Sequence, residues 1–262
     1  MAGDVLLLGC GRLGSAILEG WLLTGAVAPA RLVIATPSTK PAAEAARALG
    51  ARVVAGPEGI QGLSRVVLAV KPGLWRQAVA PWLPALAPEA IVLSVMAGVR
   101  GADIAGAVEG RPVARLMPTT AVAQGQGVAA LWADSVEAAA AAQAAFGRLA
   151  DLVPLADERL FHAATAVSGC APAFVHALVE ALAEAGAAEG LDPDAAARLA
   201  RGALRSAAAG EATGASLAEL IDRIASPGGV TRAGLEAMRE AGLASLAAAT
   251  VHAAIRRSGE LG

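Results

Sequence analysis

A glycine-rich turn near the start of the chain restricts the fold more than any other feature. Gly9-Cys10-Gly11-Arg12-Leu13-Gly14 directly follows the apolar run Val5–Leu8 and opens a segment with helical patterning. In this spacing the first glycine permits a tight turn, the second lets a pyrophosphate approach the backbone, and the third lets the helix pack close to the strand. The pyrophosphate would then meet backbone N–H groups at the helix N-terminus. The context therefore predicts a dinucleotide-binding βαβ unit.

Short β-branched runs alternate with helical patterns over about the first 158 residues. The predicted strands are Val5–Leu8, Leu32–Ala35, Arg52–Val54, Val66–Val70, Ile91–Val95, Val113–Leu116, Gly127–Leu131 and Leu152–Val153. The predicted helices are Leu13–Thr24, Pro41–Leu49, Leu74–Leu86, Ala102–Val108 and Val136–Leu149. This alternation predicts right-handed crossovers and a mainly parallel sheet. The strands are apolar throughout, so we expect burial on both faces.

The pattern changes from about Glu158, where helical periodicity replaces the β-branched runs. Phe174, Leu178 and Leu182 recur every four residues, as on one face of a helix. Helix starts are predicted at Pro172, Asp192-Pro193 and Ser226-Pro227. The fold class is therefore α/β, with an N-terminal Rossmann-type doubly wound sheet (1–158) and a C-terminal all-helical domain (159–262). A helix near Arg159–Val167 is expected to join them, and the apolar stripes predict burial against a second subunit.

Composition excludes several classes of function. The net charge is −2 and no basic block occurs, so the sequence lacks the footprint of a nucleic-acid-binding protein. We find no run of about 18 apolar residues, and therefore expect no membrane span. The N-terminus lacks the basic region of a secretory signal, and two cysteines are too few for a disulfide framework. We therefore expect a cytoplasmic protein.

The end of the second predicted strand selects the cofactor. An NAD site places Asp or Glu there to bind the ribose 2′-hydroxyl, whereas Thr36-Pro37-Ser38-Thr39-Lys40 offers hydroxyls and a positive charge. These groups suit a 2′-phosphate, which favours NADPH and leaves NADH possible. The alternative is an ordinary Pro-Ser turn with an exposed lysine and no role in cofactor binding. Lys71, after the fourth strand, could reach ribose or phosphate, or could be a solvated loop lysine.

Two small-residue breaks in the C-terminal part are candidate substrate sites. Ser226-Pro227-Gly228-Gly229-Val230-Thr231 would expose backbone N–H groups suited to a carboxylate, with the Thr231 hydroxyl directed at the same ligand. The alternative is a plain corner between two helices. A break at 167–173 could let Ser168 and the backbone at Gly169 approach a small ligand. The three histidines lack metal-ligand spacing, so no metal site is predicted.

Taken together, these segments resemble the pyrroline-5-carboxylate reductase family over essentially the whole chain. The motifs that carry the resemblance are GCGRLG at 9–14, TPS at 36–38, AVKPG at 69–73, SVMAGV at 94–99, RLMPTTA at 115–121, AVSGCAPAF at 166–174 and SPGGVT at 226–231. The resemblance implies a Rossmann domain followed by a helical dimerisation domain, a homodimer that often assembles into a decamer, and NADPH-dependent reduction of a small cyclic imine to L-proline, the last step of proline biosynthesis.

The resemblance also assigns residues. Those implied at the cofactor are Gly9, Cys10, Gly11, Arg12, Leu13, Gly14, Thr36, Pro37, Ser38, Ala69, Val70, Lys71, Pro72, Ala97, Gly98 and Thr119. Those implied at the substrate are Ser168, Gly169, Ser226, Pro227, Gly228, Gly229, Val230 and Thr231, with Thr231 as the catalytic residue near the ring nitrogen.

Four positions depart from the family pattern. Arg12 and Thr119 stand where asparagine is usual, Cys170 where serine is usual, and Ile221 where a lysine is common. Two alternatives therefore stay open: a reductase of another cyclic imine, and a non-catalytic NADPH-binding relative. A hydroxyacid dehydrogenase of the same two-domain plan would need a lysine in the helical domain, and no lysine follows Lys71.

Overall fold

The computed structural model describes residues 3–260, which form two compact units. The first unit runs to Gly169 and also includes the last turns of the C-terminal helix from Ala254 onward. His162, in the first unit, is hydrogen-bonded through Nδ1 to the hydroxyl of Ser258 in those turns, at 2.9 Å. The second unit is Cys170–Ala253.

The first unit is built on one eight-stranded sheet in the order β3-β2-β1-β4-β5-β6-β7-β8. The strands are β1 (Asp4–Leu8), β2 (Leu32–Ala35), β3 (Arg52–Val54), β4 (Leu63–Leu68), β5 (Leu86–Ser94), β6 (Val113–Pro118), β7 (Gly127–Ala133) and β8 (Ala150–Pro154). All neighbours are parallel except β6 and β7. Strand order reverses direction beside β1, so the carboxyl ends of β1 and β4 border a ligand crevice.

Helices cover both faces of this sheet, as expected for a doubly wound fold. They are α1 (Arg12–Thr24), α2 (Pro41–Ala48), α3 (Trp75–Val79), α4 (Gly101–Ala107) and α5 (Val136–Phe146). One apolar core contains Trp21 of α1 and Phe146 of α5, which pack edge to face at 6.1 Å between ring centroids. The other core, on the opposite face, contains Trp75 and Ile104.

Two details of the predicted first unit are wrong. The predicted helix Leu74–Leu86 is broken into 3₁₀ turns at Pro72–Leu74 and Ala80–Ala85 on either side of α3, and Leu86 already belongs to β5. Proline interrupts the helical hydrogen-bond ladder, which explains the break. Burial on both faces holds for the central strands but not for the edge strands β3 and β8, where several side chains are partly or fully exposed.

The second unit is entirely helical. A short helix α6 (Phe161–Ala164) of the first unit continues through a π-helical turn, Thr165–Cys170, into α7 (Ala171–Ala188). The helices that follow are α8 (Pro193–Glu211), α9 (Leu217–Ile224), α10 (Val230–Glu240) and α11 (Leu243–Gly259). Asp192 caps α8 as predicted, but Ser226-Pro227 forms a turn, and α10 begins only at Val230.

One helical run, Glu158–Ala188, is long and apolar enough to cross a membrane by length and composition alone. It has 31 residues and a mean hydropathy of 1.5 over its most apolar window, so the expectation that no segment reaches this length is wrong. Only 6% of that window is buried within the chain. Most of this window is thus exposed in the single chain, as at surfaces that bind another molecule.

Candidate active site

The glycine turn between β1 and α1 has the geometry that a bound pyrophosphate requires. Gly9 has a φ of 102°, a conformation that other residues rarely adopt. A Cβ on Gly14 would collide with the carbonyl oxygen of Gly9, so only glycine allows α1 to pack against the turn this closely. A Cβ on Gly11 would meet no atom within 4 Å, because this position faces open space.

The N-terminus of α1 adjoins that open space. Gly11 is the N-cap residue, and no side chain caps the first turn. The backbone N–H groups at the start of the helix are therefore available to an anion, where the helix dipole also favours negative charge. The indole of Trp21 donates to the carbonyl of Ala145 at 2.7 Å, which fixes α1 against α5.

A cleft of about 870 Å³ opens at the carboxyl ends of β1, β2 and β4. Its volume is within the range of cofactor pockets. The predicted cofactor residues that line it are Gly9, Cys10, Gly11, Thr36, Pro37, Ser38, Ala69, Val70 and Lys71. The structure thus brings the glycine turn, the end of β2 and the Lys71 loop, which are distant in sequence, together in one cleft.

The end of the cleft beside β2 is polar and includes the positively charged side chain of Lys40. The hydroxyl of Thr36 donates to the carbonyl oxygen of Ser38 at 3.0 Å, which shapes the turn. Lys40 lines the same cleft, and so does Lys71. No carboxylate stands at the end of β2, so this end suits a phosphate better than a ribose diol.

Sequence reasoning missed three polar or aromatic residues that also line the cleft: Glu58, Gln77 and Trp82. The Glu58 carboxylate folds against Gly56, where a Cβ would lie 2.5 Å from Oε2. These residues follow β3 or belong to the segment after β4, at the crevice edge of the sheet. Their position after parallel strands could have indicated that they border the ligand crevice, but no sequence motif distinguishes these three residues from their neighbours.

The remaining predicted cofactor residues lie outside this cleft. Arg12, Leu13 and Gly14 form the first turn of α1, and Arg12 is exposed. Pro72 and Gly98 line a separate cavity of about 220 Å³, and Ala97 is half-buried. Thr119 is buried, and its hydroxyl accepts a hydrogen bond from the Val128 N–H at 3.3 Å. The hydroxyl of Thr119 is thus engaged with β7.

The predicted Ser168 and Gly169 lie in the π-helical turn of the first unit. The Ser168 hydroxyl donates to the carbonyl of Ala164 at 2.8 Å, which leaves its lone pairs available as acceptors. A Cβ on Gly169 would lie 3.9 Å from Cγ of Met117, near the end of β6. Single π-helical turns of this kind occur frequently at functional sites.

The predicted substrate loop Ser226–Thr231 belongs to the second unit. Gly228 has a φ of 66°, and the Gly229 N–H donates to the carbonyl of Ser226 at 3.0 Å to close a turn. No side chain caps α10, so the N–H groups at its start are available to an anion. Thr231 is exposed, and its hydroxyl makes no hydrogen bond within residues 3–260.

Arg232 holds this loop in place. Its guanidinium donates to the carbonyl of Ala225 at 2.8 Å and to the Asp222 carboxylate at 2.9 Å. These bonds tie the start of α10 to the end of α9, so the turn between them is fixed from both sides. Sequence reasoning missed this role, because an arginine one residue after a turn carries no distinctive signal.

Two family models match the chain. Residues 158–261 match pyrroline-5-carboxylate reductase dimerisation, and residues 4–98 match the NADP oxidoreductase, coenzyme F420-dependent, model. The first match covers the helical part and the second covers the glycine turn and the cleft.

Curated relatives match over nearly the full length. A pyrroline-5-carboxylate reductase of Thermus thermophilus is 35% identical over 97% of this chain and 97% of its own. That of Pseudomonas aeruginosa is 33% identical over 98% of this chain and 96% of its own. The chain belongs to the pyrroline-5-carboxylate reductase family.

A solved structure shows the same fold. Pyrroline carboxylate reductase of Plasmodium falciparum, determined with NADP bound, superposes with a TM-score of 0.80 over 99% of this chain and 98% of its own, at 22% identity. The predicted family, the two-part fold class and the NADP type of cofactor are therefore confirmed. The dimerisation model also supports the predicted homo-oligomer.

Proposed function

We propose that this chain reduces the C=N bond of 1-pyrroline-5-carboxylate to L-proline, with NADPH as the hydride donor. Identity above 30% over nearly the whole chain to reductases of that name carries the proposal. The cleft geometry supports the cofactor part of the proposal, because the glycine turn and the uncapped α1 suit a dinucleotide.

The residues of the cleft fit NADPH. The first-turn N–H groups of α1 would bind the pyrophosphate, and Thr36, Ser38 and Lys40 would bind the 2′-phosphate. When bound, the nicotinamide supplies the hydride. The protein contributes binding, orientation and charge placement around it. Glu58 lies on a different loop from the 2′-phosphate ligands and is available to hydroxyl groups of the nucleotide.

The Ser226–Thr231 loop would bind the substrate. N–H groups at the start of α10 suit the substrate carboxylate, since they converge where the helix dipole is positive. The Thr231 hydroxyl, which makes no hydrogen bond within residues 3–260, would form a hydrogen bond at the ring nitrogen of the imine and so orient the proton there. A hydroxyl is too weak an acid to protonate the nitrogen unaided, so Thr231 orients or relays the proton.

A reductase of a different cyclic imine is the second candidate. The observation that favours it is Ile221, an exposed apolar residue on α9 where a lysine is common in the family. The chain that precedes the substrate loop thus carries less positive charge than the family pattern. An imine with a smaller or absent carboxylate would suit that surface better.

We also propose that the protein is a cytoplasmic homodimer that can assemble further into a decamer. It would bind neither a membrane nor nucleic acid. The dimerisation domain supports a partner chain, rather than lipid, as the cover of the apolar run Glu158–Ala188. The net charge of −2 gives no attraction to nucleic acid.

One assay tests the proposal. NADPH oxidation is followed with pyrroline-5-carboxylate and with five- and six-membered imines that lack the carboxylate, and proline is quantified as product. We expect the highest kcat/KM with pyrroline-5-carboxylate, and NADPH preferred over NADH. Faster turnover of an imine without a carboxylate would favour the second candidate, and NADPH binding without oxidation by any imine would indicate a non-catalytic relative.

A further inference from the structure

An ion pair between buried Arg115 and half-buried Glu158 links three elements of the first unit. Oε1 of Glu158 accepts a hydrogen bond from Nη1 of Arg115 on β6 at 2.7 Å. The same oxygen accepts from the backbone N–H of Gly101, the first residue of α4, at 2.5 Å. Arg115 is only 4% exposed, whereas the other paired arginines of residues 3–260 are more accessible. The Glu158 carboxylate supplies the counter-charge that the buried Arg115 guanidinium requires.

Neighbouring aromatic rings fix the geometry of the pair. The Arg115 guanidinium lies 4.3 Å from the ring centroid of Phe161, a favourable cation–π contact. A Cβ on Gly101 would collide with the Trp132 ring, so only glycine lets the α4 amide approach the carboxylate. Neither member of the pair lines the cofactor cleft.

The pair is connected by packing to two parts of the candidate site. Arg115 and Met117 lie two residues apart on β6 and therefore face the same side of the sheet. Met117 and Phe161 belong to one small apolar core, with Ala97 packed against it. Phe161 begins the helical run that leads to the π-helical turn, where Gly169 approaches Met117. The ion pair is thus connected through Met117 and Phe161 to both the end of β6 and the turn that contains Ser168.

We propose that Arg115 and Glu158 are positioning residues for the reductase reaction, an inference that rests on the proposed function. The pair holds the π-helical turn Thr165–Cys170 at a fixed distance from the end of β6. Its loss lets the turn shift, and a shift of about 1 Å at a reacting centre can lower turnover by about a hundredfold.

The test compares Glu158→Ala and Glu158→Gln in the full-length protein with the control Arg111→Met. The amide side chain of Glu158→Gln would still offer an oxygen to both donors but would remove the counter-charge of Arg115, so this variant should recover part of the lost turnover. Arg111 is a matched control because its side chain is 9% exposed, pairs with Glu109 and belongs to the same unit, at the opposite end of β6. Two readouts are measured: steady-state kinetics with NADPH affinity, and amide hydrogen exchange over residues 165–170.

We expect Glu158→Ala to lower kcat roughly tenfold with NADPH affinity within about twofold of wild type, and Glu158→Gln to recover within about threefold. Exchange over 165–170 should accelerate, while exchange in β1 stays unchanged. Arg111→Met should keep wild-type kcat even if its Tm falls. Wild-type kcat in Glu158→Ala, or an equal loss in Arg111→Met, would overturn the proposal.

Two further points keep the test decisive. If Glu158→Ala does not fold, Arg115→Lys decides, because the shorter lysine loses the planar guanidinium that contacts Glu158 and Phe161. Wild-type turnover and wild-type exchange over 165–170 in Arg115→Lys would overturn the proposal. If the wild-type protein does not turn over pyrroline-5-carboxylate, the proposed function fails. Hydrogen exchange, which needs no turnover, then still reports whether the pair holds the turn, and unchanged exchange overturns the inference.

Discussion

At the scale of single residues, cofactor binding in the cleft is expected to depend on glycines, which leave space for the pyrophosphate. Gly11→Val tests this directly. Gly11 has a φ of −74°, which valine adopts readily, and its Cβ would meet no protein atom within 4 Å. The variant should therefore fold, while the valine side chain fills the space beside the α1 N-terminus. We expect NADPH binding to be lost in a fluorescence titration and the circular dichroism spectrum to be unchanged.

Gly106→Val is the control for that substitution. Gly106 lies in α4, and its Cβ would also meet no atom within 4 Å, but it does not line the cleft. This variant should bind NADPH normally. Normal binding by Gly11→Val as well would refute the assignment of the glycine turn.

Thr231 is the residue whose hydroxyl is predicted to act on the substrate. Thr231→Ala should lower kcat with pyrroline-5-carboxylate by about ten- to a hundredfold, the equivalent of roughly 1–3 kcal/mol for one neutral hydrogen bond. NADPH affinity should not change, because Thr231 belongs to the proposed substrate loop, which is far from the glycine turn in sequence. The backbone N–H groups of the loop remain, so KM should change less than kcat.

Thr231→Val keeps a branched side chain of similar size, so it distinguishes the loss of the hydroxyl from the loss of side-chain packing. We expect steady-state kinetics of the two variants to agree. Wild-type turnover in both would remove Thr231 from the active site, and a loss of NADPH affinity would show that the loop is misplaced.

At the scale of elements, α9 begins with a capping box that should make its stability depend on pH. The Glu219 carboxylate accepts from the backbone N–H and the hydroxyl of Ser216, at 2.8 and 2.9 Å, and Ser216 in turn caps the Glu219 N–H. These bonds lower the pKa of Glu219 below its ordinary value. A carboxyl whose pKa is lowered by folding stabilises the folded state above its unfolded pKa, and that contribution is lost as pH falls through the folded pKa.

We therefore expect amide exchange in Leu217–Ile224, corrected for intrinsic rate, to accelerate on acidification below the ordinary pKa of Glu219. Ser216→Ala should accelerate it roughly fivefold at neutral pH, the usual effect of losing an N-cap. Glu219→Gln keeps an acceptor but cannot titrate in this range, so its exchange should be insensitive to acidification. Acid sensitivity equal to wild type in Glu219→Gln would show that another group controls α9.

At the scale of the whole molecule, the helical unit lacks enough cover for its apolar side chains. Phe174, Val175, Leu178 and Leu182 of α7 are 37–54% exposed within a single chain. The helical part matches a dimerisation model, and we therefore predict that a second copy covers these residues. We expect sedimentation at micromolar concentration, without detergent, to show a dimer or larger assembly and no stable monomer.

The double variant Leu178→Glu, Leu182→Glu should dissociate that assembly, because burying two carboxylates without partners is costly. Leu23→Glu is the matched control. Leu23 is 66% exposed in α1, outside the helical unit, so its replacement should leave the assembly intact. A folded wild-type monomer, or a requirement for detergent, would contradict the expected assembly.

The sequence by itself determined the elements whose signals are local. The glycine turn, the strands β2 and β3, the start of α8 at Pro193 and the helical character of the C-terminal part all follow from short motifs or periodicity. The family followed from several such motifs in a fixed order. These features are predictable because neighbouring residues alone restrict the backbone there.

Tertiary structure decided what depends on distant neighbours. Glu58 and Lys71 share a cleft because parallel strands place the loops that follow them at one edge of the sheet. The prolines after α3 break a segment whose apolar spacing predicted one helix. Arg115 and Glu158 are 43 residues apart, and no spacing rule relates them. Their pairing arises because a buried guanidinium must find a counter-charge, and only the packed fold determines which carboxylate is within reach.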